Sequence, residues 1–391
     1  MPDLQILEFF SGIGGYRYAL ERTDLPFTII NSYDINEVAN SSYNLTFNSK
    51  TSTKSITSLT IKDLQQDIVN TWLMSPPCQP FTRGGNKLGI KDNRSEPLLH
   101  LLNLLKEVRK KPTFFMLENV YGFETSSMRD KTIETLVEMG YLVKEYLLTP
   151  LQFGIPNDRL RYYCVAGWKG EGKGKVEEMV KVWNEVDVEE LIGIPFKKDI
   201  DYNQLLDKLG CCRLNEGVIQ EENNSKEEYF LKKELILKSK NFKFDIVNLF
   251  DRRSACFTKS YGSHHIYSSA TLIDSTIRSE DQIQPYDFDN KSSLLHKNLR
   301  FFTPEEICLL SGIPTEKYKN SKLPWMRDND RNRNRNRNNN RNNQNNTSNT
   351  PSTPHFIQFT ESTSLLQKYR LLGNSINCVV VGELIQLNFQ N

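Results

Sequence analysis

At 391 residues, with 38% hydrophobic and 25% charged residues, the chain has the composition of a folded soluble protein of one large domain or two smaller ones. No apolar run approaches the roughly 18 residues that span a bilayer, and the start Met1-Pro2-Asp3 has no basic region, so no secretory signal is expected. The net charge of +2 misleads: residues 327–346 hold six arginines and two aspartates, which leaves the rest of the chain at −2. A nucleic-acid site would therefore be a local patch and not a field over the whole surface.

The seven cysteines are odd in number, scattered and free of any CxxC spacing, which argues against a disulfide framework and for a reducing intracellular setting. The five histidines do not fall at ligand spacing with cysteine, so no zinc or other metal is expected.

Taken in chain order, short apolar runs alternate with helical patterns. Residues 4–10 read as a strand, punctuated by Gly12 to Gly15, and residues 16–22 as a helix. Residues 27–33 read as a second strand ending at Asp34, and 36–43 as the start of a helix. Strand 68–74 runs straight into Ser75-Pro76-Pro77-Cys78. Helix 98–108 and strand 113–117 follow, the latter ending at Glu118-Asn119-Val120. Helix 132–139, strand 141–148 and strand 161–165 complete the series. This alternation predicts an α/β fold with a parallel-rich sheet covered on both faces. Periodicity fades after Lys169. We assign residues 1–181 and 297–391 to one discontinuous domain and 182–296 to a smaller domain. Thr303-Pro304-Glu305-Glu306 is a helix start, with Thr303 as cap. Residues 374–387 carry an apolar helical stripe. Residues 328–349 are almost all Asn, Arg, Gln, Ser and Thr and are expected to be disordered; a low-complexity expansion outweighs an RNA-contacting arm as their reading.

Four short motifs carry chemistry. The glycine-rich turn Phe10-Ser11-Gly12-Ile13-Gly14-Gly15 after the first strand lets backbone approach a ligand, and Asp34 at the end of the second strand can accept bonds from ribose hydroxyls. A tight structural turn explains the glycines equally well. Cys78 follows a strand end, where open α/β sheets bind ligands, and sits among rigid and polar neighbours rather than core, which favours a reactive thiol over an inert buried one. Glu118 at the next strand end would reach the same crevice, against the plain alternative of a surface carboxylate. Arg159 and Arg161 alternate with Leu160 and share a face; a solvated basic strand edge would look the same.

In this order, the PPC loop, Glu118-Asn119-Val120, the Arg159/Arg161 pair and the closing Leu372-Gly373-Asn374-Ser375 resemble the cytosine-C5 methyltransferase family. Residues 10–15 and 300–314 match as well, and the resemblance covers about the first 170 residues and the last 90. Cys256-Phe257-Thr258, followed by Tyr261, and the segment 157–163 (NDRLRYY) are similar to the DNA-methyltransferase-like enzymes that methylate cytosine 38 of aspartate tRNA.

The resemblance implies a Rossmann-like methyltransferase sheet, with residues 182–296 as target-recognition domain, and S-adenosylmethionine as methyl donor. It implies Cys78 as nucleophile toward C6 of the base and Glu118 as the group that holds N3 and the exocyclic amine. Arg161 would contact O2, and Arg159 would support the pocket. Pro77, Asn119, Cys256, Phe257 and Thr258 are assigned to the substrate side. Phe10, Ile13, Gly14, Gly15, Asp34, Ile35, Ser75, Asn374 and Ser375 are assigned to the cofactor. The family's acidic residue near the third strand is missing here, and Ile56 and Thr57 stand at that place. The implied partner is tRNA, with a monomeric protein in the cytoplasm, the nucleus or both. Two other readings stay open: a DNA cytosine-C5 methyltransferase with the same chemistry, and a nucleic-acid-binding scaffold without activity.

Overall fold

The computed structural model describes residues 2–64, 66–77, 93–192, 202–219, 226–238, 245–263, 271–326 and 354–390. The main sheet holds β1 (Leu4–Phe9), β2 (Phe27–Tyr33), β3 (Thr71–Met74), β4 (Phe114–Val120), β5 (Tyr141–Leu148), β6 (Arg161–Trp168) and β7 (Lys175–Val176), in the order β2-β1-β3-β4-β6-β5-β7. Strands β1 to β4 run parallel, and β6 runs antiparallel to both β4 and β5. Because β1 lies between β2 and β3, the chain leaves β1 to one side and returns on the other. Such a switch point opens a crevice at the carboxyl ends of the strands.

Side-chain alternation explains the two layers that cover the sheet. Ile6, Leu73 and Met116 point into one core, which also holds the buried faces of α1 (Gly15–Leu20) and α2 (Glu37–Phe47). Their strand neighbours Leu7, Phe9, Trp72, Met74, Phe115 and Leu117 point into the other. After the short α3 (Ile61–Leu64), helices α4 (Glu96–Glu107) and α5 (Ser127–Glu138) cover that second face. Strands buried on both faces read as continuous apolar runs, as Thr71–Met74 does.

Beyond β7 come a hairpin of β8 (Val182–Trp183) and β9 (Val186–Asp187), then α6 (Val188–Leu191), α7 (Tyr202–Lys208) and α8 (Lys233–Lys238). A second sheet pairs β10 (Asp245–Val247), β11 (Thr271–Asp274) and β12 (Leu299–Arg300). The chain then returns to the first layer through α9 (Pro304–Ser311), α10 (Leu365–Asn374) and α11 (Cys378–Asn388). Helix α11 lies close on α1, since a Cβ at Gly382 would sit 2.9 Å from the carbonyl oxygen of Ala19. No helix among the described residues is long and apolar enough to cross a membrane.

Strands β2 and β5 occupy the residues that the pattern predicts. β4 runs further than expected, to Val120, because β6 pairs with its end: Glu118 faces Tyr163 and Val120 faces Arg161. The apolar stripe at 374–387 is not one helix. α10 ends at Asn374, and Asn377 caps α11 by accepting bonds from the N–H groups of Val379 and Val380. The Asn/Arg tract at 328–349 lies outside the described residues.

Helix α9 begins at a capping box, Thr303 with Glu306. The same Glu306 takes two bonds of 2.9 Å from Arg300, and neither side chain has any exposed surface. Removing one member of such a buried pair costs about 3–5 kcal/mol, because the other charge is left unpaired. Glu306→Ala is therefore expected to lower the unfolding free energy by about that amount, read as a shift in the urea midpoint at unchanged slope; a loss near zero would refute a pairing role.

Candidate active site

The first loop bends by using three left-handed residues, Phe10 (φ 56), Gly12 (φ 52) and Gly14 (φ 88). A Cβ at Gly14 would enter the ring of Phe47, and one at Gly15 would lie 2.6 Å from Cγ1 of Ile376. Gly12 differs: nothing lies within 4 Å of where its Cβ would point. The loop is held to the next strand by Asp34, whose Oδ2 accepts from the Gly12 N–H and Oδ1 from the Asn36 N–H, both at 2.8 Å. Burial raises the Asp34 carboxyl above its ordinary value, and these backbone donors oppose the rise.

This loop forms one wall of a cavity of about 360 Å³ at the switch point. Of the cofactor-side residues expected from sequence, Phe10, Ile13, Gly15, Asp34, Ile35, Ile56, Ser75, Asn374 and Ser375 line it, as do Pro77, Glu118, Arg159 and Arg161. Gly14 faces Phe47 instead. Thr57 is exposed, its hydroxyl bonded to that of Ser55 at 2.9 Å, while Ser55 and Ile56 take the wall. Asn119 lies behind the wall and donates to the Pro76 carbonyl at 3.2 Å, so it tethers the PPC loop. Phe257 is a core residue packed edge-on to Tyr261 and Phe302. Thr258 lies backbone-to-backbone with Gly373, where no Cβ could fit. Cys78 lies outside the described residues; the described chain reaches Pro77 in the cavity wall.

Glu118 and Arg161 meet because the β4–β6 register makes them diagonal neighbours on one face. Arg161 Nε lies 3.5 Å from Glu118 Oε1. Burial raises the Glu118 carboxyl above its ordinary range, and Arg161 and Arg159 only partly offset this. Arg159 is 7% exposed and donates to the Phe257 carbonyl at 2.9 Å, the Gly373 carbonyl at 3.3 Å and the Ser375 carbonyl. Both arginines also donate to one sulfur, that of Cys256, at 3.3 Å from Arg161 and 3.4 Å from Arg159.

Sequence reasoning named Ser11 and Gly12 only as parts of the glycine-rich turn and passed over Tyr16, Asn36 and Lys259; all five are in the wall. The first two stand inside the glycine loop and Lys259 directly follows Thr258, so adjacency to a motif is the signal that marks them. Tyr16 has none: it reads as the first core position of a helix, yet its hydroxyl donates to the Met74 carbonyl at 2.9 Å beside the cavity.

The wall fits S-adenosylmethionine. The buried hydroxyl oxygens of Ser11 and Ser375 have no hydrogen-bond partner among the described residues, and buried polar groups call for one. Asp34 keeps lone pairs for hydroxyl donors beyond its two N–H bonds. Ile35 is 69% exposed although apolar, a surface for a flat ring to cover. Gly12 leaves space where any side chain would intrude. Among the described residues no group of three or more His, Cys, Asp or Glu is placed to hold a metal. Gly14→Ala forces a methyl into the Phe47 ring at a left-handed position, a strain of about 1–3 kcal/mol. S-adenosylmethionine affinity by calorimetry should fall about tenfold or more; unchanged affinity in a folded variant would remove the loop from cofactor binding.

Comparison with known proteins agrees with this geometry. Residues 4–387 match the family described as C-5 cytosine-specific DNA methylase. The chain is similar to a "DNA (cytosine-5)-methyltransferase" of Dictyostelium discoideum, 32% identical over 99% of this chain and 94% of that one. It is also similar to the human "tRNA (cytosine(38)-C(5))-methyltransferase", 30% identical over the full length of both. Among solved structures, the Schizosaccharomyces pombe Dnmt2 methyltransferase superposes with a TM-score of 0.70 at 28% identity, covering 100% of this chain and 99% of that one. An Entamoeba histolytica methyltransferase, EhMeth, gives 0.69 at 28% identity over 100% and 98%. With a cavity of about 360 Å³ at the switch point and a Glu–Arg pair in its wall, the chain belongs to the C-5 cytosine-specific DNA methylase family and is an S-adenosylmethionine-dependent cytosine-C5 methyltransferase.

Proposed function

We propose that the protein methylates C5 of cytosine 38 in the anticodon loop of aspartate tRNA, through a covalent adduct between Cys78 and C6. The observation that carries the choice of tRNA is agreement among full-length relatives: the human, S. pombe and Spodoptera frugiperda proteins, matched over 100%, 98% and 99% of this chain, are all named tRNA (cytosine(38)-C(5))-methyltransferases. The segment Cys256-Phe257-Thr258, bound to the active-site arginines, supports the same choice. A second reading, methylation of DNA, is favoured by the name of the Dictyostelium relative. The cost of exposing the base separates them physically. A duplex base must be flipped at a cost of a few kcal/mol, whereas a loop base is already partly unstacked.

In the proposed reaction the Cys78 thiolate forms a bond to C6, and the electron pair of the C5–C6 double bond moves to C5. Covalent addition thus turns a poor carbon nucleophile into a good one. S-Adenosylmethionine supplies an electrophilic methyl group. Glu118, with its carboxyl raised by burial, donates a proton to N3 as C6 is attacked. Arg161, at diagonal register from Glu118, donates to O2. Arg159 gives its Nη donors to protein carbonyls and to the Cys256 sulfur and so braces the wall. C5 takes the methyl group that bound S-adenosylmethionine would supply; a base, supplied by water, then removes the C5 proton, the C5–C6 double bond re-forms, Cys78 leaves as thiolate and the N3 proton returns to Glu118. We place this monomeric activity in the compartments that hold tRNA, the cytoplasm and the nucleus.

Labelled methyl donor offered with total tRNA and double-stranded DNA in parallel is expected to mark tRNA strongly, and Cys78→Ala to abolish the signal with cofactor binding retained. Labelling of DNA alone would move the protein to the second reading, and labelling by Cys78→Ala would remove the covalent step. Glu118→Gln should lose about 10²–10⁴ in turnover. Because burial holds the Glu118 proton to higher pH than an ordinary carboxyl, the wild-type rate should fall as pH rises through that raised value, and the Gln variant should lack this limb. A wild-type limb that persists in Glu118→Gln would assign the proton to another group.

A further inference from the structure

Two guanidiniums share the wall of the catalytic cavity, and burial of charge demands partners. Arg159 gives its Nη donors to carbonyls, which are dipoles and not counter-charges, and its buried Nε has no partner among the described residues. The carboxylate facing both arginines is Glu118, at 3.5 Å from Arg161. In the proposed reaction Glu118 must hold a proton before transfer, and a protonated carboxyl neutralises neither cation. Among the described residues, the remaining group that touches both is Cys256, whose sulfur accepts from Arg161 Nη2 at 3.3 Å and Arg159 Nη1 at 3.4 Å and lies 3.6 Å from the Phe257 carbonyl oxygen. A neutral thiol is a weak acceptor; a thiolate matches two converging cationic donors, which outweigh the more distant carbonyl.

The sulfur is also held rigidly in that place. Asn157 donates from Nδ2 to the Ser254 hydroxyl at 3.1 Å and the Ala255 carbonyl at 3.0 Å. The Ser254 hydroxyl donates to the Pro156 carbonyl at 2.8 Å, and the Ala255 N–H donates to the Thr271 hydroxyl at 2.8 Å. The stretch before Cys256 is therefore stitched to the loop that leads into Arg159 and Arg161, a level of bonding that surface packing of a cysteine does not need.

We propose that Cys256 is held as a thiolate and acts as the second counter-ion of the Arg159–Arg161 pair, a positioning residue that fixes the Arg161 fork and leaves Glu118 free to keep its proton. The proposal rests on the reading of Glu118 as proton donor given above. Burial alone would push the Cys256 thiol up, and Arg161 and Arg159 bring it below its ordinary value, with Asp158 acting in the other direction. The groups facing Glu118 are Arg161 and Arg159, together with the hydroxyls of Tyr16 on α1 and Tyr163 on β6.

Two measurements on the full chain test this. In a Cys78→Ala background, alkylation of Cys256 by iodoacetamide, followed by peptide mass spectrometry across pH, should show a midpoint below the ordinary thiol value of about 8.5. A midpoint at or above that value overturns the proposal. In the wild-type background, Cys256→Ser removes the negative charge, favours ionised Glu118 and should move the alkaline limb of turnover down by about one pH unit. Cys256→Asp restores a charge and should bring the limb back. A Ser variant whose profile overlies wild type, or an Asp variant shifted as far as Ser, overturns the proposal, and these profiles decide the matter if the reagent cannot reach Cys256. If the limb survives in Glu118→Gln, the proton-donor reading fails by itself, and the alkylation midpoint still reports on the thiolate.

Discussion

The buried guanidinium of Arg159 joins stretches of chain that lie far apart in sequence. Its donors reach the carbonyls of Phe257, Gly373 and Ser375, which are 98, 214 and 216 residues away. A planar group with donors in fixed directions is suited to bind several segments at once, where a flexible ammonium would not be. The cavity exists because these segments meet there: the start of β6, the segment after Arg253 and the break between α10 and α11. Desolvation of the cation is large, and the carbonyls and the Cys256 sulfur offset it only as a complete set. The catalytic wall and the joint between distant parts of the chain are thus one structure.

The sheet decides which groups can stand at that joint. Its parallel half ends in loops at one edge, and the switch between β1 and β3 sets the glycine loop beside the PPC loop. Its antiparallel half does something different. By running back along β4, β6 presents its first residue, Arg161, opposite the last residue of β4, Val120. Glu118 and Arg161 are therefore neighbours by register, and no loop has to carry either of them. The proposed proton donor and its neighbouring cation stand on rigid strands, which holds their geometry better than loops can.

Glycines mark where backbone must replace side chain. Gly373 meets the Thr258–Lys259 peptide so closely that no Cβ fits, and this contact brings Lys259 to the cavity. Gly14 and Gly15 admit the side chains of Phe47 and Ile376, whereas Gly12 meets nothing within 4 Å among the described residues. One short loop thus uses the same residue type for packing and for leaving the cavity open. Only the direction of the missing Cβ separates the two uses.

By itself the sequence determined the elements and the chemical motifs. Periodic apolar patterns depend on neighbours within a few residues, so β2, β5 and the Thr303–Glu306 cap were legible without a fold. So were Asp34, Glu118, Arg159 and Arg161, because strand ends at a switch point are where ligand groups stand. What depended on partners distant in sequence was decided by the tertiary structure. Asn119 was legible as a motif residue, but its hold on the Pro76 carbonyl comes from packing. At the break, the Ser375 carbonyl is taken by Arg159 and Asn377 caps the next helix, while the apolar stripe runs on unchanged. Thr57 leaves the wall to Ile56, and Cys256 turns its sulfur to two arginines while Phe257 enters the core. A side chain's direction is set by what packs against it, and those contacts form only when segments some hundred residues apart come together.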